Sequence, residues 1–403
     1  MNRRKRSVPE GMRDLLFEEC ALKRRIEHSM GCIFEAGGYR EIITPALEYL
    51  ELYSDTNSLP AERMYKLFDR QSRILALRPD CTPAVARVAA TRLMDMPVPL
   101  RLYYNQNVFR TNDTMSAKSD ETTQCGVELI GAAGPRADIE VLRCALAALR
   151  SVTDDFKLEL GHVGMFWQLS RRAGLSEEDT ELARFYIETK NFAALDSLAG
   201  EYGKSAEGLK LLPRLFGGEE VFDEAAAVSE GETGGILAYL RGLFDTLSEM
   251  GYRDHIMMDL GLVSNIEYYT GVVFCGYLGG FGKPALFGGR YDELMKKFGR
   301  DMPAAGFAID VDAVADTIQN GQSPLSPPDA LVYCESACLS DAYRLAERLQ
   351  GEGKIALVST ADSEKAAGDE AKALGAATLY TVTKSGVRSV DAGGGFTKGG
   401  GKG

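Results

Sequence analysis

Leu15, Leu22, Ile26, Met30, Ile33 and Phe34 recur at steps of three, four and seven, which predicts an amphipathic helix over residues 14–36. Gly37-Gly38 closes it with permissive backbone. Tyr39–Pro45 then reads as a strand running up to a proline, and Met64–Asp69 with Arg73–Leu77 as a hairpin. Thr82-Pro83 has the signature of a helix start, with threonine as N-cap and proline at the first helical position. Leu100–Arg110 and Thr122–Ile130 are β-rich and separated by a polar segment, so they are expected to pair as long antiparallel strands. Asp138–Val152 follows as a helix and Lys157–Gly161 as a strand.

Between about 170 and 250 strand signals vanish, and Leu, Ala and Glu recur at helical spacing, which predicts an all-helical insertion. Strand character returns at His255–Leu260, Tyr268–Tyr277, Ala285–Phe287 and Ala304–Ile309, with a helix at Arg290–Phe298. The expected organisation is a core domain over 1–320, a Pro/Ser/Gly linker at 321–328, a small α/β domain at 329–390 and a disordered tail at 391–403. In the small domain, strands at Ala330–Cys334, Ile355–Val358 and Ala377–Thr383 alternate with two helices as a βαβαβ unit. The fold class is α+β: an antiparallel sheet flanked by helices.

Composition narrows the function classes. The 403 residues hold 46 Lys+Arg against 58 Asp+Glu, a net charge of −12, which argues against a nucleic-acid-binding protein. In 329–390 seven basic residues face nine acidic ones, the opposite of a phosphate-binding face. No apolar run is long enough for a membrane span, and the basic Met1–Arg6 tip leads into Ser7-Val8-Pro9-Glu10 rather than an apolar stretch, so a cytoplasmic protein is expected. Eight dispersed cysteines form no Cys-x-x-Cys pair and the three histidines no His-x-x-x-His, so no metal centre is expected and the thiols are expected to be reduced. Neither a dinucleotide fingerprint nor a P-loop occurs, and no cofactor is expected.

Polar residues sit where burial is expected. On the strand Gln124-Cys125-Gly126-Val127-Glu128, alternation puts Gln124, Gly126 and Glu128 on one face, a poor core but a suitable floor for a small polar molecule. Asp80, Arg110 and Glu128 could hold an amino acid's ammonium and carboxylate. Internal salt bridges or a solvated sheet face would use the same residues, and spacing does not separate these readings.

These segments, with Pro9-Glu10-Gly11-Met12-Arg13-Asp14, Glu267-Tyr268-Tyr269-Thr270-Gly271 and Gly288-Gly289-Arg290-Tyr291-Asp292, resemble the class II histidyl-tRNA synthetase core over about residues 8–315. Val127–Gly131 and Gly161-His162-Val163-Gly164 look especially like that family's non-synthetase branch, the regulatory subunits of short-form ATP phosphoribosyltransferase. The C-terminal unit is loosely similar to a shortened anticodon-binding domain.

The resemblance implies a class II synthetase-like core and a histidine pocket of Asp80, Thr82, Arg110, Gln124, Glu128, Tyr268 and Tyr269. It implies that the ATP side is lost. Asn112 stands for an adenine-reading glutamate, Asp120 for a loop arginine, Ser264 for the catalytic arginine, and Asp312-Ala313 for a closing Glu-Arg, after Asp310 in place of glycine. The implied function is noncatalytic: a regulatory subunit required for activity and for histidine feedback in the first step of histidine biosynthesis. The implied partners are the short catalytic subunit, a second copy of this chain within a hetero-octamer, and L-histidine. An active histidyl-tRNA synthetase and a free-standing histidine- or tRNA-binding module are the alternatives.

Overall fold

A computed structural model describes residues 6–56, 59–112, 119–263, 269–318 and 327–391. The chain divides into two units, Met1–Gly321 and Gln322–Gly403.

The strands of the first unit are, in chain order, β1 (Arg40–Glu41), β2 (Leu47–Tyr49), β3 (Lys66–Phe68), β4 (Ile74–Leu77), β5 (Leu100–Phe109), β6 (Glu121–Ile130), β7 (Phe156–His162), β8 (Phe216–Gly217), β9 (Ile256–Asp259), β10 (Val272–Leu278), β11 (Pro284–Arg290) and β12 (Ala304–Asp310). Nine of them form one sheet in the order β1-β5-β6-β12-β11-β10-β7-β9-β8, and β2-β4-β3 form a small second one. The large sheet is antiparallel except at β1–β5 and β7–β9.

Strands β5 and β6 pair without a shift from Leu100↔Ile130 to Phe109↔Glu121. On β6, Cys125, Val127 and Leu129 enter the main core, with Leu22, Ile26, Met30 and Phe34 of helix Phe17–Ala36 and Val141, Leu142, Ala145 and Leu149 of helix Pro135–Arg150. Each such side chain contributes about 1.5–3 kcal/mol on burial, which fixes which way β6 faces. A one-residue slip would turn all three into the opposite layer. Gln124, Gly126 and Glu128 are therefore held on the other face, toward helix Thr82–Thr91.

Several local expectations need correction. The first helix begins at Phe17 rather than 14, because Leu16 is extended (φ −126°, ψ 147°) and Phe17 has φ 44°. The strand expected over 39–45 shrinks to Arg40–Glu41. Beyond it the Thr44 carbonyl is taken by the Arg78 guanidinium (2.9 Å) and the Gln106 amide (3.0 Å), and the Pro45 carbonyl by Arg78 (3.1 Å), so side chains replace the ladder. The helical run starts at Val163, directly after β7, and is not wholly helical. Phe216–Gly217 pairs with β9 and forms one edge of the large sheet.

The second unit contains β13 (Ala330–Cys334), β14 (Ala356–Val358), β15 (Thr378–Thr383) and β16 (Gly386–Asp391), with helices Leu339–Gly351 and Glu364–Leu374. Its sheet order is β14-β13-β15-β16, parallel except for the last pair. The βαβαβ expectation lacked β16, a mostly exposed edge strand with no apolar alternation to reveal it. Asp391, assigned to the tail, ends that strand. Residues 392–403 lie outside the described residues, as does the linker apart from Pro327 and Pro328. No described helix is long and apolar enough to cross a membrane.

Candidate functional site

Glu128 lies at the centre of the polar face and is only 1% exposed. Its Oε1 accepts hydrogen bonds from Thr82 Oγ1 (2.7 Å) and the Tyr104 hydroxyl (3.3 Å), and its Oε2 accepts one from the Tyr291 hydroxyl. Burial pushes its pKa up to about 8, against the opposing pull of these donors, and the negative charge of Asp80 adds to the rise. Burial therefore favours the protonated form of this glutamate.

The floor is made of small residues because larger ones do not fit. Gly306 pairs with Glu128 in register, and a Cβ there would stand 1.9 Å from Glu128 Oε2. A Cβ on Gly289 would meet the Tyr269 ring at 2.7 Å. The room above Gly126, which the sequence suggested would suit a ligand, is occupied by Tyr104. A Cβ at Gly126 would lie 2.8 Å from that hydroxyl and 2.2 Å from the Phe307 carbonyl oxygen.

Thr82 is not the N-cap it was expected to be. Cys81 takes that place, and its N–H donates to Gln124 Oε1 (3.2 Å), which ties the helix start to β6. Thr82 is the first helical residue, with its hydroxyl turned to Glu128. Arg110 Nε donates to the Pro79 carbonyl (2.6 Å), and its positive charge partly offsets the burial that raises the Asp310 pKa. Asp80 is close enough to add to the rise of the Tyr104 and Tyr269 hydroxyl pKa values, for which burial is the main cause. The structure thus gathers Asp80, Thr82, Gln124, Glu128 and Tyr269 around one spot, with Arg110 beside them. Tyr268 and Ser264 lie outside the described residues.

Sequence reasoning missed Tyr104 and Tyr291, two of the three hydroxyls on Glu128. The available signal for Tyr104 was a tyrosine placed on β5 where the partner strand carries a glycine, Tyr104↔Gly126.

The neighbouring side of the site is closed on itself. Asp120 Oδ2 accepts from the Tyr65 hydroxyl (2.6 Å), and Oδ1 accepts from the Asn112 backbone N–H and side-chain amide (both 3.0 Å). The Asp120 N–H donates to the Gly11 carbonyl (2.6 Å). Asp312 accepts from Lys23 Nζ on both oxygens (2.8 and 2.9 Å) and from the Thr123 N–H (2.7 Å), with Arg13 at 3.6 Å. Among the described residues no group of His, Cys, Asp and Glu is arranged to hold a metal ion.

Residues 11–314 match the family model described as histidyl-tRNA synthetase. The ATP phosphoribosyltransferase regulatory subunit of Clostridium kluyveri is 40% identical over 370 residues, covering 89% of this chain and 95% of the relative. That of Bacillus mycoides is 37% identical over 369 residues, covering 89% and 87%. A crystal structure of an ATP phosphoribosyltransferase regulatory subunit/histidyl-tRNA synthetase from Bacillus halodurans superposes with a TM-score of 0.82 at 32% identity, over 90% of this chain and 96% of that one. Histidyl-tRNA synthetase from Nostoc shares the fold, with a TM-score of 0.78 at 19% identity over 96% and 97% of the two chains. By these matches the chain belongs to the histidyl-tRNA synthetase family and, within it, to the ATP phosphoribosyltransferase regulatory subunits.

Proposed function

We propose that this chain is a noncatalytic subunit that binds the short catalytic chain of ATP phosphoribosyltransferase, is required for its activity, and brings it under feedback by histidine at the first step of histidine biosynthesis. The observation that carries this reading is the contrast between the two halves of the site. The amino-acid half keeps its polar groups together around Glu128. On the ATP half, groups standing where the resemblance puts synthetase residues are taken up within the chain: Asn112 and Asp120 by each other, and Asp312 by Lys23.

Attack of a carboxylate on an α-phosphate builds negative charge, and catalysis of it consists of positioning and cationic stabilisation. One arginine in such a place can supply roughly 10³–10⁵ in rate. Asp120, Ser264 and Ala313 stand where three such cations would be, and Asp120 adds negative charge near a triphosphate. Synthetase activity is accordingly lost in this reading.

L-Histidine would lie between the Gln124/Glu128 face and Tyr268-Tyr269, with Arg110 on its carboxylate and Asp80 or Glu128 on its ammonium or imidazole. Two copies would pair through the Gly38–Pro45 region. In support, Ile43 is 78% exposed, beside a groove of about 730 Å³ lined by Ile42, Pro45, Leu93 and Met96. Such dimers would build a hetero-octamer with the catalytic chain, in the cytoplasm and without nucleic acid.

Two experiments test this. The purified chain should not exchange pyrophosphate into ATP with histidine, and exchange above a heat-killed control refutes the loss of catalysis. Co-expressed with the short catalytic chain it should co-purify, and the complex should have phosphoribosyltransferase activity that histidine inhibits. Full, histidine-insensitive activity of the catalytic chain alone overturns the regulatory role.

A further inference from the structure

A cleft of about 520 Å³ opens on the opposite side of the large sheet from Glu128, within the size range of small-molecule sites. Alternation along the strands sets this. Gly289 on β11 lies under Tyr269 on the polar face, so its neighbour Arg290 points the other way, and His162 ends β7 on that same side.

Arg290 is 8% exposed and its charge is already matched. Nε and Nη2 donate to Asp138 Oδ1 (3.0 and 2.5 Å), and Nη1 donates to Asp292 Oδ1 (3.0 Å). The second Asp138 oxygen accepts from the Tyr239 hydroxyl (2.5 Å). The groups left over are of a different kind. His162 Nδ1 accepts the Gly164 N–H (3.0 Å), so the ring proton is on Nε2. Burial keeps the ring neutral, with its pKa down at about 4. His162 and Gln168 both line the cleft, and neither the His162 Nε2–H nor the Gln168 amide makes a hydrogen bond with any described residue. Glu232, the exposed first residue of helix Glu232–Leu247, adds a carboxylate with no ion pair among the described residues.

One arginine against three carboxylates makes the lining net acidic, which disfavours phosphates and other simple anions. An ammonium group is favoured at Glu232, the lining carboxylate without an ion pair among the described residues, provided the same molecule also offers an acceptor to His162 and Gln168. The partial positive charge where helices Pro135–Arg150, Val163–Ala173 and Glu232–Leu247 begin, all at the cleft, favours a carboxylate for that acceptor. We propose that this cleft binds a free amino acid, at a site separate from the Glu128 pocket and independent of the role given to that pocket. The proposal also accounts for the Gly161-His162-Val163-Gly164 motif. A Cβ at Gly164 would stand 2.9 Å from the His162 ring and from Ile236 Cδ1, so only glycine lets His162 cap its helix and present Nε2 to the cleft.

The test is calorimetric titration of the full chain with the protein amino acids in turn and with inorganic phosphate. It uses wild type, Glu232→Gln, His162→Asn and Glu128→Ala. His162→Asn keeps an acceptor where Nδ1 sits but removes the Nε2–H, so thermal unfolding should be unchanged. Glu232 is exposed, and Glu232→Gln decides the matter if the histidine variant does not fold. The expected result is an amino acid whose affinity falls about tenfold in both cleft variants and is unchanged in Glu128→Ala. No amino acid binding, binding that responds only to Glu128→Ala, or phosphate binding that responds to His162→Asn would each overturn the proposal.

Discussion

Glu128→Gln should reverse its effect on stability between acid and alkaline pH. In the unfolded chain the glutamate titrates near its ordinary 4.5, and in the folded chain near about 8. The folded value is the raised one. Its contribution is therefore fully present below about pH 4.5 and is lost as pH rises toward 8, because over that window the unfolded chain has released a proton that the folded chain retains. At ~1.4 kcal/mol per pH unit the loss has an upper bound of ~5 kcal/mol. Glutamine has no such term. Thr82 and Tyr104 can still donate to its amide oxygen, but the Tyr291 hydroxyl meets an NH₂ group and must turn, at about 1 kcal/mol. The variant should be the less stable form by about 1 kcal/mol below pH 4, match the wild type near pH 5, and be the more stable form near pH 8 by ~3 kcal/mol. Glu159 and Asp259, raised by burial to about 7 and about 6, slope both proteins alike, so the difference between the two isolates Glu128. Urea denaturation across this range measures it. Parallel stability curves for the two proteins would refute the buried, protonated state of Glu128.

Gly306→Ala should destabilise by about 1–3 kcal/mol and disturb the Glu128 contacts, since the added Cβ falls 1.9 Å from Oε2 and 2.4 Å from the Val127 carbonyl oxygen; urea unfolding reads the cost. Lys23→Ala should cost ~2 kcal/mol, because Asp312 stays buried with the Thr123 N–H and the more distant Arg13 but without its closest cation. An unchanged denaturation midpoint would contradict it. If histidine enters the Glu128 pocket with a positive group on that carboxylate, binding near neutral pH should release a proton, visible as a calorimetric enthalpy that varies with the buffer's ionisation heat. Glu128→Ala should abolish that release and weaken binding about tenfold.

The polar face was legible in the sequence for a specific reason. With Cys125, Val127 and Leu129 committed to the core, period-two alternation leaves Gln124, Gly126 and Glu128 no other direction. What fills that face was not legible. Tyr291 reaches Glu128 from 163 positions away, and no local pattern encodes a partner across the sheet. Thr82 shows the limit of local signals: Thr-Pro suggests an N-cap, but the buried Glu128 carboxyl across the layer offers the hydroxyl a partner, so it turned inward and Cys81 took the cap position. The resemblance marks Asn112 and Asp120 as departures from the synthetase pattern, while their mutual hydrogen bonds depend on the two residues meeting just past β5 and just before β6.

That contact works as a ratchet on the mutational paths open to this chain. An arginine at position 120 would strand the Tyr65 hydroxyl and the Asn112 backbone N–H, and would crowd Gly11, whose φ of +77° sets it against the Asp120 side chain. A glutamate at 112 would set a second negative charge against Asp120. Each change alone would break contacts of the present fold, so a synthetase-like side chain at either position would need compensating changes at the other. If the proposed noncatalytic reading holds, these hydrogen bonds, and not only selection on the chain's role, would hold it in its present state against single substitutions.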